Sequence, residues 1–383
     1  MAAMSHRERV VKALNHEEPD RVPIAVDNIN AGAYINLVKH LGVDEELQRP
    51  ELNDQSDPSK TLILGPTLLE RFDVDVRPLN TRPLESVHEQ IDAMSYRDGW
   101  GVVWSRSEKG PYMNKQGPFQ GRKITLADLD RHPWPDPNKP GRYEGLRERA
   151  RKMHEETDYA IMGHVGPSSV GPCQRLRGFT EWMEDLALEP ALAEGLLEHV
   201  TEVVVACARA ILQEVGDYLD VVRFADDLGF QDRAYFRPEM FRRQVKPYLG
   251  RMVEAIKSNT RAKVLMHSDG SIYHLLPDLI DIGVEAINPV QTTAKNMEAA
   301  RLKAEFGDHL GFWGAIDTQH TLPFGTPDEV RDEVRSKIRE LGPSGGFILG
   351  SCHEIQREVP PENVVAMYDS AIEFGKSQQT AAV

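Results

Sequence analysis

Two side chains of the kind that bind metals stand at the end of an apolar stretch, Ala262–Gly270 (AKVLMHSDG). The run predicts a buried β-strand, and because side chains alternate along a strand, His267 and Asp269 should point to the same side. An imidazole and a carboxylate placed in this way could share one metal ion or one substrate. The alternative is that His267 bonds a neighbouring backbone group and Asp269 caps the helix predicted over SIYHLLPDLIDIG.

Other predicted strands also end in polar residues. After the apolar runs come His164; Asp226 and Asp227; Asn288 and Gln291; Asp317 and Gln319; and Cys352, His353 and Glu354. Strand ends that meet at one edge would bring these groups together. This convergence favours a functional site over a lone capping histidine.

The elements that must position these residues alternate regularly from Tyr143 onward. Short strands and amphipathic helices follow one another with short connections, which predicts parallel strands with helical crossovers. Their number favours a closed (β/α)8 TIM barrel, with RVPIAVDN as the first strand and its chemistry at the carboxyl-terminal strand ends. We therefore predict a single barrel domain over residues 1–383.

The stretch from Gln48 to Pro140 is less regular and predicts an N-terminal excursion over the barrel mouth. A separate small domain is the alternative, but no polar linker isolates the stretch. Trp100, Trp104 and Trp134 could form an aromatic lid, although we favour the simpler interpretation that they bury the excursion against the barrel.

Composition excludes several classes of protein. The chain has 383 residues, a formal net charge of -15 and three cysteines. We expect no membrane span, because no window approaches about 18 consecutive apolar residues. The charged start lacks a secretory signal, and the scattered cysteines fit a reducing compartment, so we expect a soluble, cytoplasmic protein. The acidic charge disfavours a nucleic-acid partner.

The types of several individual residues suggest roles in a site. Paired carboxylates at Asp226 and Asp227 suit a general acid, base or hydrogen-bond acceptor, and Asp317 is a similar case. The alternative for Asp227 is a cap on the following turn. Arg77 is a candidate anion contact, although most arginines are solvated. We expect four residues to bind substrate: His164, Asn288, Gln291 and Arg77.

A late metal ligand is predicted at Cys352 or His353. Cys352 could instead be a small apolar residue at a strand end. Strand alternation places the two on opposite sides, so one of them is expected to reach the metal. Spacing to Glu362 favours His353, and the affinity of zinc for thiolate favours Cys352.

In order along the chain, several segments together resemble the uroporphyrinogen decarboxylase superfamily. They are RERVVKALNHEEPDRVPI, FDVDVRPL, DGWGVVW, PWPDP, FADDLG, VLMHSDGSIYHLLPDLIDIGVEAINPVQ, GGFILGSCHEIQ and VPPENVVAMYD. The resemblance implies a (β/α)8 barrel and covers nearly the whole chain.

Two branches of that superfamily differ in ways visible here. The decarboxylase proper carries an arginine motif of the RQAGRY type that binds the carboxylates of its tetrapyrrole, whereas IAVDNINAGAYINL contains no arginine. Corrinoid-linked methyltransferases resemble the chain in an HxCG segment whose histidine and cysteine bind zinc with a later cysteine. His267 matches the first ligand, and Asp269 replaces the first cysteine. A carboxylate makes the site harder and suits polarising an oxygen.

The resemblance therefore implies a zinc-dependent methyltransferase that moves a methyl group from a small O-methyl substrate to a separate corrinoid protein. The alternative enzyme is a metal-independent decarboxylase of a carboxylated small molecule, in which Asp226 or Asp227 stabilises a protonated intermediate and His353 orients it. A catalytically silent binding protein is disfavoured by the dense polar rim. The resemblance also makes a homodimer an expectation.

Overall fold

The computed structural model describes residues 4–48, 61–79, 87–107, 112–139 and 141–376. The strands are β1 (Ile29–Asn30), β2 (Thr61–Leu62), β3 (Val76–Leu79), β4 (Val87–Asp92), β5 (Ser95–Asp98), β6 (Val103–Ser105), β7 (Met113–Gln116), β8 (Ala160–Pro167), β9 (Val221–Ala225), β10 (Lys263–His267), β11 (Ala286–Asn288), β12 (Gly311–Ile316) and β13 (Phe347–Ser351).

The helices of the described residues alternate with the later strands. They are α1 (His6–Leu14), α2 (Ala31–Leu41), α3 (Pro66–Arg71), α4 (Leu126–Asp130), α5 (Leu146–Glu156), α6 (Val170–Arg177), α7 (Phe179–Leu188), α8 (Pro190–Val215), α9 (Pro238–Met240), α10 (Lys246–Lys257), α11 (Leu276–Asp281), α12 (Ala299–Phe306), α13 (Thr321–Phe324), α14 (Pro327–Leu341) and α15 (Pro361–Phe374). A capping box formed by Ser5 and Glu8 starts α1.

Seven parallel strands form the main sheet in the order β13-β12-β11-β10-β9-β8-β3. The segment Pro23–Ala25 closes this sheet by bonding to both of its edges. The Ala25 amide donates to the Leu349 carbonyl and the Leu349 amide to the Pro23 carbonyl, each at 2.8 Å, while the Asp75 amide donates to the Ile24 carbonyl at 2.8 Å. The segment thus occupies the position of the eighth strand, and the predicted (β/α)8 barrel is confirmed.

An ion-pair cluster secures the closing segment at the amino-terminal end of the barrel. The buried Asp75 carboxylate accepts hydrogen bonds from Arg9 Nη1 at 2.6 Å, Arg21 Nη1 at 2.7 Å and the Ile24 amide at 2.6 Å, and lies 2.8 Å from His6 Nδ1. Burial alone would raise the pKa of Asp75, but these partners outweigh burial and lower it. Asp75 therefore holds α1, the closing segment and β3 together.

The barrel interior is a compact apolar cluster of inward side chains, one from the closing segment and from each strand of the main sheet except β8, which contributes two. Its members are Ala25, Val76, Ala160, Met162, Val221, Leu265, Ala286, Trp313 and Ile348, with Val10 and Leu14 of α1 as a plug. Moving two residues along a strand returns to the same face. The next layer toward the carboxyl-terminal ends is therefore polar: Asp27, His164, Arg223, His267 and Asn288 follow these apolar positions by two.

The N-terminal excursion is a four-stranded antiparallel sheet in the order β4-β5-β6-β7. Trp100 is buried and packs edge-on against Trp134, which stacks on His199 of α8 at a ring distance of 5.2 Å. These two tryptophans attach the excursion to the barrel as predicted. Trp104 instead lines a cavity that also reaches His267.

Candidate active site

Three side chains from the ends of two strands, β10 and β13, form a cluster that could hold a metal ion. His267 ends β10, Asp269 follows it, and His353 lies just beyond β13; one ligand atom from each lies within 4.8 Å of the other two. Asp269 Oδ2 is 3.6 Å from His267 Nε2 and 3.6 Å from His353 Nε2. The Asp269 carboxylate faces the imidazoles, and the next helical turn begins at Tyr273, so the capping alternative has no support here.

The donor set fits zinc. Tetrahedral zinc with bonds of about 2.0–2.1 Å requires ligand atoms about 3.4 Å apart. Two of the separations in the cluster are 3.6 Å, so small side-chain shifts would suffice. Two imidazoles and one carboxylate leave the fourth position open for water or substrate, as in catalytic zinc sites.

Behind His267 lies a closed network of polar side chains. His267 Nδ1 is 2.8 Å from Asn288 Oδ1 and 2.7 Å from Arg223 Nη2. Asn288 Nδ2 donates to Asp27 Oδ2 at 3.2 Å, and Arg223 Nη1 donates to Asp27 Oδ1 at 3.1 Å. The carboxylate of Asp27 therefore fixes the orientation of the amide, with its oxygen toward the imidazole. A ligating histidine typically bonds such a partner through its other ring nitrogen.

Burial and neighbouring charged groups shift the pKa values of His267, Asp27 and Asp269 in opposite directions. Burial would lower the pKa of His267, but the bond to Asp269 outweighs it and raises the pKa. Burial would raise the pKa of Asp27 and Asp269, but Arg223 and His267, respectively, lower it. Burial, followed by the charge of Arg223, lowers the pKa of His164 to about 3, so this imidazole is neutral at pH 7. His164 lines a cavity of 210 Å³ with Asp27 and Arg223.

Cys352 lies outside the metal cluster, which corrects its assignment as a ligand. Its buried thiol contacts the Val290 carbonyl at 3.7 Å. Burial, and then the negative charge of Asp269, raise the pKa of the thiol well above its usual value. The Cys352 amide donates to the Ile316 carbonyl, so pairing continues past β13 and turns His353 toward Asp269.

Asp226 and Asp227 lie side by side but have different surroundings. Asp226 is buried and accepts the amides of Val170 at 2.9 Å and Gly171 at 2.6 Å, at the start of α6. Burial raises its pKa to about 7 although these amides and Arg175 oppose the rise. Asp227 accepts the Asp269 amide at 3.1 Å and is exposed. Both line the cavity next to His267.

Asp317 and Gln291 lie on the other side of the cluster, around a cavity of 310 Å³ that includes Asp269 and His353. Asp317 accepts the Gln319 amide at 2.8 Å, and this contact stabilises the turn before α13. Gln291 accepts the Gly270 amide at 2.9 Å. The strand ends thus bring these predicted residues near the cluster, while both also stabilise loop backbone.

Arg77 is placed away from the candidate site, which corrects its assignment as a substrate contact. Val76 packs in the barrel interior and Pro78 lines the cavity of 210 Å³, so alternation turns Arg77 outward. Its guanidinium donates to the Val74 and Val76 carbonyls and lies 3.5 Å from the centre of the Tyr159 ring. These contacts are at the amino-terminal end of the strands.

Asp27 and Arg223 are members of the polar layer that the sequence-based assignment missed. The signal was present, because each follows by two an apolar residue that faces the interior, Ala25 and Val221. Both strands are predicted from the sequence, with Asp27 at the tip of the first, RVPIAVDN, but neither residue is among the predicted site residues. Arg223 stands within its strand and was therefore overlooked.

A barrel with ionisable side chains gathered at the carboxyl ends of its strands is the architecture of the barrel enzymes. Comparison with known proteins narrows this class. The chain belongs to the uroporphyrinogen decarboxylase (URO-D) family, whose family model matches residues 109–374. The superfamily includes both decarboxylases and methyltransferases. The resemblance found in the sequence is thereby confirmed.

Individual relatives extend over the whole chain at low identity. A protein named uroporphyrinogen decarboxylase from Anaeromyxobacter dehalogenans (strain 2CP-C) is 26% identical over 380 residues, 97% of this chain and 99% of the relative. One of the same name from Alkalilimnicola ehrlichii is 22% identical over 95% of this chain and 93% of the relative. The solved structure of a methyltransferase from Methanosarcina mazei has a TM-score of 0.63 and 19% identity, covering 97% and 99% of the two chains, which shows the shared fold.

Within the described part of the chain, none of the helices combines the length and apolar character needed to cross a membrane.

Proposed function

We propose that this protein is a zinc-dependent methyltransferase that moves a methyl group from an oxygen of a small substrate to a corrinoid held by a separate protein. The observation that carries the proposal is the cluster of His267, Asp269 and His353, whose ligand atoms lie within 4.8 Å of one another. A decarboxylase that works without metal has no need of such a converging donor set.

The residues of the chain divide the work. His267, Asp269 and His353 would hold the zinc, and Asn288 would orient His267 through its ring Nδ1. Zinc bound there would supply Lewis acidity that polarises a substrate oxygen. A carboxylate in place of a thiolate suits this role because it is a harder ligand. Tyr96 and Trp104 of the excursion cover the adjoining cavity and would limit access of water to a bound substrate.

The test begins with metal content. Protein purified without chelator or metal-affinity resin should contain about one zinc per chain. Asp269→Ala should lose most of it, and Asp232→Ala, at an exposed carboxylate paired with Arg233, is the matched control. The zinc-loaded protein is then mixed with reduced free cob(I)alamin and a panel of methyl ethers, and formation of the cobalt–methyl bond is followed by visible absorption. Metal-free protein that releases carbon dioxide from an added acid in chelator would overturn the proposal.

A second candidate, a metal-independent decarboxylase, is favoured by the whole-length likeness to proteins of that name. The segment that would carry the arginine motif, residues 24–37, contains none, so a polyanionic tetrapyrrole would lack fixed cationic partners there. We expect no coproporphyrinogen when uroporphyrinogen is added, measured by chromatography of the oxidised products. Turnover comparable to that of a decarboxylase control would favour this candidate instead.

A further inference from the structure

The turn that carries Asp269 is held from both sides by the ends of the neighbouring strands. Residues 268–271 follow β10, and each of their backbone amides donates to an acceptor from another segment. The acceptors, in chain order of the donors, are the Asn288 carbonyl at 2.8 Å, Asp227 Oδ1 at 3.1 Å, Gln291 Oε1 at 2.9 Å and the Phe230 carbonyl at 2.7 Å. The two central amides, those of Asp269 and Gly270, are therefore bound by side chains.

The segment that follows β9 lies directly against this turn. A Cβ added to Gly229 would be 2.8 Å from the Ser271 amide nitrogen and 3.1 Å from the Asp269 carbonyl oxygen. A Cβ added to Gly270 would be 2.5 Å from the Gly229 carbonyl oxygen. Glycine at both positions lets the two backbones approach this closely. The turn consequently has little freedom to move toward the segment after β9.

Asp227 contacts the residue that carries the acidic ligand. Its Oδ1 accepts the amide of Asp269, whose own carboxylate Oδ2 lies 3.6 Å from Nε2 of both His267 and His353. A ligand whose backbone is already fixed loses less conformational freedom when it binds a metal ion. Groups that orient a ligand in this way contribute to metal affinity without touching the metal.

We propose that Asp227 is a positioning residue, which holds the backbone of Asp269 so that its carboxylate faces His267 and His353 before a metal ion arrives. The inference rests on the proposed function, because it takes these three side chains as the zinc ligands. Its role is that of a hydrogen-bond acceptor. It differs from the role of general acid or base that the paired carboxylates suggest, because an acceptor needs no exchangeable proton.

The test is a zinc titration against a competing chelator, on protein freed of metal. Asp227→Ala removes the acceptor and should weaken zinc binding about tenfold, the lower end of the range for a group that supports a ligand, because Asp227 is exposed. Asp227→Asn keeps an oxygen for the Asp269 amide and should retain most of the affinity. Asp232→Ala, at an exposed carboxylate of the same segment, is the matched control and should bind zinc as the unaltered protein does.

Gly229→Ala tests the same contact without removing a polar group. The added Cβ would collide with the Ser271 amide nitrogen, so the turn must shift and zinc binding should weaken. Gly250→Ala is the matched control, because a Cβ there would be 3.7 Å from Ile282 Cγ2, an ordinary contact. If Gly229→Ala does not fold, the comparison of Asp227→Ala with Asp227→Asn decides alone.

Cobalt(II) in place of zinc reports the geometry of the site. The visible bands of cobalt(II) are strong in tetrahedral sites and weak in octahedral ones, so they show whether the carboxylate still binds in the same way. The bands should weaken in Asp227→Ala and be restored in Asp227→Asn. If Asp227 only stabilised the fold, the spectrum of the folded Asp227→Ala protein would match that of the unaltered protein.

Equal zinc affinity of the Asp227→Ala and unaltered proteins would overturn the inference, and so would an equal loss in Asp227→Ala and Asp227→Asn. Methyl transfer does not enter these measurements. Protein that follows the expected order of affinities but methylates no cobalamin would remove the proposed function and keep the positioning role. Protein that methylates cobalamin while Asp227→Ala retains full zinc affinity would do the reverse, and unaltered protein that binds neither metal would overturn both.

Discussion

Asn288 and Arg223 should affect zinc binding in opposite directions. Both lie within hydrogen-bond distance of His267 Nδ1, but Arg223 can only donate and Asn288 Oδ1 can only accept. A proton on Nδ1 satisfies Asn288 and leaves Nε2 free for metal. A proton on Nε2 lets Arg223 donate to Nδ1 and blocks the metal-binding nitrogen. The two neighbours therefore compete for the tautomer of one imidazole.

The expected magnitudes follow from these contacts. Removing the partner of a ligating histidine costs about 10–100-fold in metal affinity, or about 1.4–2.7 kcal/mol, so Asn288→Ala should weaken zinc binding by this amount. Arg223→Lys keeps a positive charge next to Asp27 but removes the second guanidinium nitrogen, Nη2, which contacts His267 Nδ1. Since a hydrogen bond from a charged donor is worth about 1.5–3 kcal/mol, zinc affinity should rise by about tenfold.

The assay is a zinc titration against a competing chelator, with ring ¹⁵N spectra to identify the protonated nitrogen of His267. Zinc-loaded protein should carry the proton on Nδ1. Asn363→Ala is a suitable control, because this buried asparagine donates to the carbonyls of Leu322 and Gly325 and has no contact with the cluster. If zinc affinity changed in the same direction in Asn288→Ala and Arg223→Lys, the two residues would not compete for the tautomer of His267.

Three more outcomes test the site and the fold. Elemental analysis should show that His353→Ala loses most of its zinc and that Cys352→Ala retains it, because the Cys352 thiol contacts the Val290 carbonyl. Loss of zinc from Cys352→Ala but not from His353→Ala would restore Cys352 as the ligand. Asp269→Cys should bind zinc at least as tightly as the unaltered protein but with lower activity toward methyl ethers, since a thiolate reduces Lewis acidity, whereas equal activity would argue against that account. Asp75→Asn should lower the free energy of unfolding in urea by about 3 kcal/mol, because two buried arginines lose a shared partner. The folded pKa of Asp75 is lowered, so its stabilisation is present above the unfolded pKa and is lost below about pH 4, and the variant should show less pH dependence there.

The barrel and the identity of its strand ends were accessible from the sequence because they depend on local patterns. The apolar run before His267 and the pair two residues apart predicted a shared side, and the structure places Asp269 3.6 Å from His267. The choice between Cys352 and His353 was not accessible. It depends on pairing of Cys352 with Ile316, which buries the thiol, and no spacing within the chain reports that contact.

Arg77 failed as a prediction for a different physical reason. A long side chain near a strand end can reach either end of the barrel, and its direction is set by tertiary partners. Tyr159 and two backbone carbonyls hold the guanidinium at the amino-terminal end. Conversely, Arg223 could have been found by following alternation outward from Val221.

The closing segment Pro23–Ala25 links the order of folding to the metal site. Ile24 also bridges to Leu349, far along the chain, so pairing of the closing segment with β13 requires closure of a long loop, which is slow. Asp27 follows Ala25 by two and completes the network that orients His267. A nascent chain should therefore bind zinc weakly until this segment docks. Transient detachment of the segment in the finished protein would loosen His267 and offer a route for metal exchange that does not require global unfolding.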